Sequence, residues 1–445
     1  MRWSELGAWL AGRQPSSNTM LLHHHDAMLK PDPARTVIRP FAPGYPQGHD
    51  NGRSRFEVVA DRVLSFDDTQ VDTALRAVLK AMDGRHRDVE ATLQRRFHAI
   101  RPALPASADI DAPRQRLIGA FFTEEYAFEA AALFNPSVVL HPDQQNVPHG
   151  SLRIVMSLRG IGEGHVSSVS FRTGLWTPGG GVLIDSVGPT TQAPIVDDMA
   201  IADDTARLEL HCGGSRVVSE TVLFPLLPSQ RQGIEDVRLV RFVEDDGSTT
   251  YYGTYTAFDG MHARSEMLIG TDFRFWEMRK LAGDAAGAKG MALFPRRIGG
   301  RYAMLGRQDG ESIWLLFSDD LYTWDGGAKL IEPLYPWDAV QMGNCGSPLE
   351  IDEGWLVLTH GVGAVRNYCM GAALLDRHDP SRVLARTPEP ILQPSPDERD
   401  GYVPNVVYSC GAMVHGRELL IPYGVADSFT AFATARVDDL LARMA

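Results

Sequence analysis

The amino-acid sequence predicts an all-β protein that carries a largely helical extension at its amino terminus. From about residue 133 onward, short alternating runs such as "SLRIVMSLRG", "YYGTYTAFDG" and "ELLIPYG" are separated by Gly, Pro and Asp. Short strands with a turn signal every ~8–12 residues are typical of a sandwich, a barrel or a propeller. An internal echo favours the propeller, because an Asp, an aromatic residue and a Trp recur around Trp276 and Trp324. Their separation lies within the roughly 40–50 residues of one propeller blade.

Ahead of the strand-rich part, the sequence has the periodicity of helices. Between residues 53 and 100, apolar side chains recur at the spacing of one helix face: Val71, Leu75, Val78, Leu79 and Met82. Asp67 or Asp68 can cap this helix, and Gly84 can end it. A second helix is predicted over about 88–100. One more short helix is expected after the Pro- and Ala-rich linker 101–113.

These patterns divide the chain at about residue 115. We expect residues 1–115 to form the helical extension and residues 116–445 to form the propeller. The three consecutive histidines at 23–25 are expected in an irregular loop, without partners for a metal ion. The sequence leaves open whether the helices pack on the propeller or on a neighbouring subunit of a homo-oligomer.

The composition is that of an acidic protein, with a formal net charge of −13 over 445 residues and a pI near 5.5. Nucleic acid and anionic membranes would be repelled, so we expect neither as a partner, although local basic residues could bind a small anion. The four scattered cysteines form no CxxC pair and no zinc spacing, which predicts free thiols and no metal. The amino terminus lacks the apolar core of a signal peptide, so a cytoplasmic location is expected.

The stretch "GIEDVRLVRF" (233–242) crowds three charges at the start of an apolar strand. Glu235, Asp236 and Arg238 could form a structural ion pair that pins a loop. Alternatively, one carboxyl group could be held ready for chemistry. The residues alone favour the structural ion pair and leave the second interpretation open.

Several segments in the strand-rich part resemble glycoside hydrolase family 130, the β-mannoside phosphorylases and β-mannosidases. The similar segments include "LFNPSVV", "SLRGIGEGHVSSVSFRTG", "GIEDVRLV", "KGMALFPRRIGGRYAMLGRQDG", "NCGSPLEIDEGWLVLTHGVG" and "YVPNVVYSCGAMVHGRELLIPYGVADS". The resemblance covers residues 133–445 nearly end to end. It implies a five-bladed β-propeller catalytic domain with its site at the central axis, and the helical preface resembles the long members. One departure is Val237, where the family pattern EDPR has proline, a residue that fixes φ but supplies no functional group.

Cleavage of a glycosidic bond requires a proton for the departing oxygen and a nucleophile on the opposite face of the sugar. A phosphorylase needs one carboxyl group, because phosphate is the nucleophile, together with basic groups that hold the phosphate. The resemblance implies that Asp236 is the proton donor and acts through a sugar hydroxyl. Burial would keep Asp236 protonated part of the time near neutral pH, and Arg238 would oppose this. We therefore expect Arg238 to point away or to pair with Glu235.

The resemblance also implies two sets of binding residues. Phosphate would be held by a lysine, an arginine, a histidine and a tyrosine: Lys289, Arg307, His360 and Tyr368. The mannoside would be bound by Asn135, Arg159, Asp427, Glu235 and His165. Each phosphate residue taken singly has an ordinary structural explanation, but agreement at all four positions favours the functional one. No cofactor or metal is implied, and inorganic phosphate is the expected co-substrate.

The expected reaction is inverting phosphorolysis of β-mannosides, with β-1,2-linked manno-oligosaccharides favoured by analogy. It would give α-D-mannose 1-phosphate and a shortened acceptor. One alternative is a β-1,2-mannosidase, a hydrolase on the same fold, for which Glu163 or Glu235 would be the second carboxylate. Another is a non-catalytic glycan-binding propeller in which the charges are structural.

Overall fold

The computed structural model describes five ranges of the chain: 21–45, 52–104, 109–196, 206–396 and 399–445. The segment examined for a signal peptide and the middle of the predicted linker, 105–108, lie outside the described residues. Strands predominate, as the alternating pattern predicts. No helix in the described ranges is both long and apolar enough to cross a membrane.

The predicted helices are present in the extension. The helices are α1 (Arg55–Leu64), α2 (Asp68–Met82), α3 (Val89–Ile100), α4 (Ala112–Phe121) and, at the carboxyl terminus, α5 (Val437–Leu441). Asp67 caps α2, accepting a hydrogen bond from the backbone N–H of Gln70, whose side chain accepts one from Asp67 N–H. Gly84 follows the end of α2 with a φ of 75°. The predictions of a helix between Asp67 and Gly84 and of a second helix over about 88–100 are confirmed.

The strands are β1 (His23–Leu29), β2 (Val37–Pro40), β3 (Thr123–Tyr126), β4 (Ala132–Leu140), β5 (Leu152–Ile161), β6 (Ser167–Trp176), β7 (Val182–Ile184), β8 (Arg207–His211), β9 (Val222–Leu223), β10 (Gly233–Val243), β11 (Thr249–Phe258), β12 (Ala263–Gly270), β13 (Phe275–Lys280), β14 (Ala292–Leu293), β15 (Tyr302–Gly306), β16 (Ile313–Ser318), β17 (Ala328–Ile331), β18 (Gln341–Asn344), β19 (Leu349–Ile351), β20 (Gly354–Val362), β21 (Tyr368–Leu375), β22 (Val383–Arg386), β23 (Val407–Tyr408), β24 (Met413–His415), β25 (Glu418–Val425) and β26 (Phe429–Arg436). β2 and β3 form a separate antiparallel pair, and the other strands form mainly antiparallel sheets.

The strands other than β2 and β3 can be divided into five groups, two of which belong to one ten-stranded sheet. Sheet I contains β1 and β23–β26, sheet II contains β4–β7 and β9, and sheet III contains β8 and β10–β13. Sheet IV contains β14–β17, and sheet V contains β18–β22. Sheets II and III are the two parts of the ten-stranded sheet, and among the described residues a single parallel pairing of Gly233 with Ser167 joins them.

Hydrogen bonds join neighbouring sheets in circular order. Cys410 N–H donates to Pro136 O between sheets I and II, and Leu239 N–H donates to Ser137 Oγ between II and III. The remaining junctions are Val243 N–H to Pro295 O, Met342 N–H to Glu311 O, and Tyr368 N–H to Asn405 O. The last of these connects sheet V back to the segment leading into sheet I. Four fully buried tryptophans fill the space between the sheets: Trp176, Trp276, Trp324 and Trp355.

The prediction of a loop around the three histidines is wrong, because they begin strand β1, which pairs antiparallel with β26. The strand lies at the edge of sheet I, and its side chains are half-buried or exposed. An edge strand is held by backbone hydrogen bonds, so it needs no apolar alternation that a sequence pattern would reveal. His24 Nδ1 also lies 2.9 Å from Tyr423 Oη.

The extension packs on the sheets of its own chain. Arg35 Nη1 donates to Glu129 Oε1 over 3.0 Å, and Arg172 Nη2 donates to the same oxygen over 2.9 Å. All three side chains are buried. A carboxylate buried this deeply is stable only when cations and hydrogen bonds satisfy it. Arg35 therefore ties the segment between β1 and β2 to sheet II.

Candidate active site

The site lies near the starts of β4, β10, β14 and β23, and left-handed backbone torsions mark these positions. Asn135 in β4 has a φ of 49° and Asp236 in β10 has a φ of 54°, each at a bulge in its strand. Gly290 before β14 and Asn405 before β23 have φ values of 87° and 62°. Gly, Asn and Asp tolerate this region better than other residues. The bulges turn side chains out of the regular alternation of the strands.

Two adjacent carboxylates share one arginine at this end. Arg159 Nη2 donates to Glu235 Oε1 over 2.7 Å, and Arg159 Nη1 donates to Asp236 Oδ1 over 3.2 Å. Asn135 Nδ2 donates to the same Asp236 oxygen over 2.8 Å. Arg159 is itself oriented by its Nε, which donates to Ser167 Oγ over 2.9 Å. Four of the predicted mannoside and acid residues are therefore in direct contact.

Burial and charged neighbours shift the pKa values of the two carboxylates in opposite directions. Burial raises the pKa of Asp236, but Arg159, Arg238 and the hydrogen bond from Asn135 outweigh it, so the pKa lies below its ordinary value. Burial, supported by Asp236, raises the pKa of Glu235 against the opposing charges of Arg159 and Lys289. The expectation that Asp236 is partly protonated near neutral pH is thus wrong for the protein without bound ligands. The cause is Arg159, which the sequence did not place beside this carboxyl group.

Arg238 points away from Glu235, which is the first of the two expected arrangements. Its Nη2 donates to Tyr408 Oη over 2.8 Å, and its Nη1 donates to the backbone oxygen of Asp236 over 3.3 Å. The ion pairs of the charged stretch are made instead by Arg159, from a strand of sheet II. Arg238 thereby faces a different set of residues.

That set is a buried group of two arginines and a histidine, which we call the cation cluster after its arginines: Arg238, Arg307 and His360. Their exposed fractions are 3%, 8% and 1%. Within the described ranges, neither arginine forms an ion pair with a carboxylate, and Arg238 Nε, Arg307 Nε and His360 Nδ1 have no hydrogen-bond partner. A side chain at Gly343 would come within 2.6 Å of both Arg307 Cδ and His360 Cε1, so glycine is needed for their close approach.

The electrostatics of the cation cluster are those of crowded positive charge. Burial lowers the pKa of Arg307, and Arg238 lowers it further. Burial together with Arg307 and Arg238 holds the pKa of His360 well below its ordinary value, so its imidazole is neutral. Burying cations without a counter-ion is costly, and an anion bound here would offset that cost.

The other predicted phosphate residues border the cation cluster. The Tyr368 ring lies 6.3 Å from the His360 ring in a nearly parallel arrangement. Lys289 is exposed and adjoins Gly290, where a Cβ would lie 3.0 Å from Arg307 Cδ. The sequence did not identify Tyr408, whose ring is 4.9 Å from that of His360. It also did not predict that Arg238 lies beside Arg307 and His360. No local pattern marks either residue, because their neighbours come from other sheets.

The remaining two predicted mannoside residues lie on turns. Asp427 has a φ of 48° in the turn after β25, and burial, together with the charge of Asp236, raises its pKa to about 6 against the effect of Arg159. His165 lies on the turn between β5 and β6, where it contacts Tyr402. The predicted residues thus form two groups: a carboxylate half around Glu235 and Asp236, and a cation half around Arg307 and His360. The contact of Arg238 with the backbone of Asp236 links the two.

Known proteins match this chain in both sequence and fold. A 1,2-beta-oligomannan phosphorylase of Thermoanaerobacter sp. (strain X514) is 36% identical over 214 residues, covering 47% of this chain and 70% of the relative. A beta-1,2-mannobiose phosphorylase of Listeria innocua serovar 6a is 34% identical over 229 residues, covering 49% and 62% of the two chains. The solved structure of the beta-1,2-mannobiose phosphorylase from Listeria innocua with beta-1,2-mannobiose has a TM-score of 0.52 at 23% identity. It covers 72% of this chain and 92% of that one.

These matches identify the class of protein as a glycoside phosphorylase, for which a carboxyl group beside a site for an anion is the required arrangement. The family model described as beta-1,4-mannooligosaccharide phosphorylase matches residues 215–445. The chain belongs to glycoside hydrolase family 130.

Proposed function

We propose that this protein cleaves β-mannosides by inverting phosphorolysis and that its substrates are β-1,2-linked manno-oligosaccharides. The products are α-D-mannose 1-phosphate and an acceptor one sugar shorter. Three relatives at 34–36% identity are named for β-1,2-linked substrates, whereas a relative at 33% identity and the family model carry a β-1,4 description. Identity across the aligned region favours the β-1,2 linkage.

The observation that carries this proposal is the cation cluster beside the acid. Arg238 contacts the backbone of Asp236 and lies with Arg307 and His360 in a buried region that lacks a carboxylate partner among the described residues. A dianionic phosphate would supply the missing charge and accept hydrogen bonds from the free nitrogen atoms. Lys289, Arg307, His360 and Tyr368 are the proposed phosphate residues, and Arg238 is added to them.

In the proposed mechanism, a phosphate oxygen attacks the anomeric carbon from the face opposite the departing sugar. The glycosidic bond breaks with its electron pair on the departing oxygen, which takes a proton delivered from Asp236 through a sugar hydroxyl. The charge of bound phosphate offsets that of Arg238, which otherwise lowers the pKa of Asp236. Phosphate binding therefore raises the fraction of Asp236 that carries the proton.

The mannose that is cleaved would be bound by Asn135, Arg159, Glu235 and Asp427. Arg159 positions both carboxylates of the pair, and Glu235 is held in an ion pair with it. A hydrolase would require a carboxylate free to activate water. Glu163 is exposed on the turn beside His165. Phosphate in the cation cluster is therefore a better candidate for the nucleophile than a water molecule activated by Glu163.

We further propose that the five sheets are the blades of one five-bladed propeller. Their circular hydrogen-bonded order supports it, as does the pairing of β1 with the carboxyl-terminal strands of sheet I. The left-handed residues Asn135, Asp236, Gly290 and Asn405 would then occupy equivalent positions around the axis. The division at about residue 115, the cytoplasmic location and the homo-oligomer stay predictions of the sequence.

The test is incubation of the purified protein with β-1,2-mannobiose, with and without inorganic phosphate, and in parallel with β-1,4-mannobiose. We expect mannose 1-phosphate only when phosphate is present, and faster release from the β-1,2 disaccharide. Free mannose produced without phosphate would assign the hydrolase instead. Sugar binding without turnover in either condition would assign the glycan-binding alternative.

A further inference from the structure

An exposed pair of rings lies beside the turn that carries Asp427. Tyr402 is 53% exposed, and its Oη lies 3.1 Å from His165 Nδ1. The two ring centroids are 5.8 Å apart at an interplanar angle of 36°. A tyrosine this exposed gains little from its own burial, so its position calls for another explanation.

Both residues are fixed to the backbone that carries the site. Tyr402 N–H donates to Ser428 Oγ over 2.8 Å, and Ser428 directly follows Asp427. A Cβ on Gly401 would lie 2.5 Å from Ala426 Cβ, so only glycine allows this approach. On the other side, Gln232 Nε2 donates to the backbone oxygen of Gly164 over 3.2 Å, next to His165. The rings are thus anchored at both ends to segments that lead into Asp427 and Asp236.

His165 and Tyr402 are exposed, whereas Arg307 and His360, which would hold phosphate, are buried. Lys289 and Arg307 adjoin sheet IV, and His360 is in sheet V. His165 connects two strands of sheet II, and Tyr402 precedes β23 of sheet I. Inversion requires phosphate and the departing sugar on opposite faces of the cleaved mannose. With phosphate in the buried cation cluster, the departing sugar would face the exposed side of the site, where His165 and Tyr402 lie.

We propose that Tyr402 and His165 form a platform for the departing, acceptor-side pyranose rings, and that this platform determines the preferred chain length. The inference rests on the proposed phosphorolysis of manno-oligosaccharides. The face of the Tyr402 ring supplies apolar contact to the C–H face of a sugar, and His165 holds the phenol ring in its orientation. Because the platform is open to solvent, additional sugars can extend beyond it.

The experiment compares Tyr402→Ala, Tyr402→Phe and the control Leu183→Ala, a truncation of a side chain that is 66% exposed on β7. KM and kcat are measured at saturating phosphate for β-1,2-linked mannobiose, mannotriose and mannotetraose. We expect Tyr402→Ala to raise the KM of the longer substrates about three- to tenfold with kcat nearly unchanged. The rise in KM for Tyr402→Phe should be at most half of that for Tyr402→Ala, and Leu183→Ala should match the wild type.

A rise in KM for mannobiose as well would assign the platform to the first departing mannose, and a rise only for the longer chains would assign it to the second. Unchanged KM values of Tyr402→Ala at all three lengths, or a loss confined to kcat, would overturn the platform. Wild-type protein that releases no mannose 1-phosphate from any of these sugars would overturn the proposed function itself. Thermal unfolding of each variant checks that the fold is retained.

Discussion

Asn135 Nδ2 donates a hydrogen bond of 2.8 Å to Asp236 Oδ1, and both residues have left-handed backbone torsions at bulges in neighbouring sheets. Left-handed torsions at residues other than glycine cost on the order of 1–3 kcal/mol each and persist where the surrounding structure fixes them. Here that structure includes Arg159, which bonds both Asp236 and Glu235. The proposed acid is therefore oriented by contacts from another sheet.

Replacing Asp236 by Asn should lower phosphorolysis about 10²–10⁴-fold, because the amide has no acidic proton to transfer. The amide can still accept the hydrogen bond from Asn135, so the fold should be retained. Mannose 1-phosphate release and thermal unfolding measure the two effects. Asp246→Asn, in the exposed turn between β10 and β11, is the matched control. Activity within tenfold of the wild type would show that another group is the acid.

Replacing Arg307 by Met should raise the KM for phosphate about 10–100-fold and change the KM for mannoside less than threefold, because one charged hydrogen-bond donor is lost from the anion site. Added phosphate should raise the Tm of the wild type and have little effect on the variant. Arg241→Met, an exposed arginine on β10, is the control. Equal changes in both KM values would argue against a phosphate role for Arg307.

Replacing Asp427 by Asn should stabilise the protein above pH 6 and have a smaller effect near pH 4. The folded state raises the pKa of this carboxyl from 3.8 to about 6, so between these values the folded state holds a proton that the unfolded state has lost. Stability therefore falls as the pH rises through this window, and the asparagine variant avoids that loss. Urea unfolding at pH 4.0, 5.5 and 7.5 measures it. A pH-independent difference would contradict the raised pKa.

Replacing Arg35 by Met should destabilise the protein by about 3 kcal/mol, because one of the two arginines that satisfy buried Glu129 is removed. Because Arg172 remains in contact with Glu129, we expect a loss of stability at the lower end of the roughly 3–5 kcal/mol that breaking a buried ion pair costs. Arg39→Met, which removes a more exposed ion pair with Glu124, should cost about 1 kcal/mol or less. Urea denaturation compares the two variants, and equal losses would mean that burial of the Arg35 pair adds nothing.

Some of the site could be predicted from sequence because its residues are adjacent in recognisable segments. Glu235 and Asp236 lie together at the start of a strand, and the structure brings Asn135 and Arg159 to them. The partner of the two carboxylates was not predictable, since Arg238 is the nearest arginine in sequence but Arg159 is the one in contact. Ion pairs depend on distance in space, which sequence spacing does not give across sheets.

The sequence by itself determined the strand-rich character of the chain, the helices over 68–82 and 89–100, and the capping of the first of these by Asp67. These features follow from periodicity and short-range hydrogen bonds, which act within a few residues. The tertiary structure alone decided that His23–His25 complete sheet I, that Arg159 lowers the pKa of Asp236, and that Arg238 joins the cations. Each of these depends on neighbours from distant parts of the chain, brought together when the sheets pack in circular order.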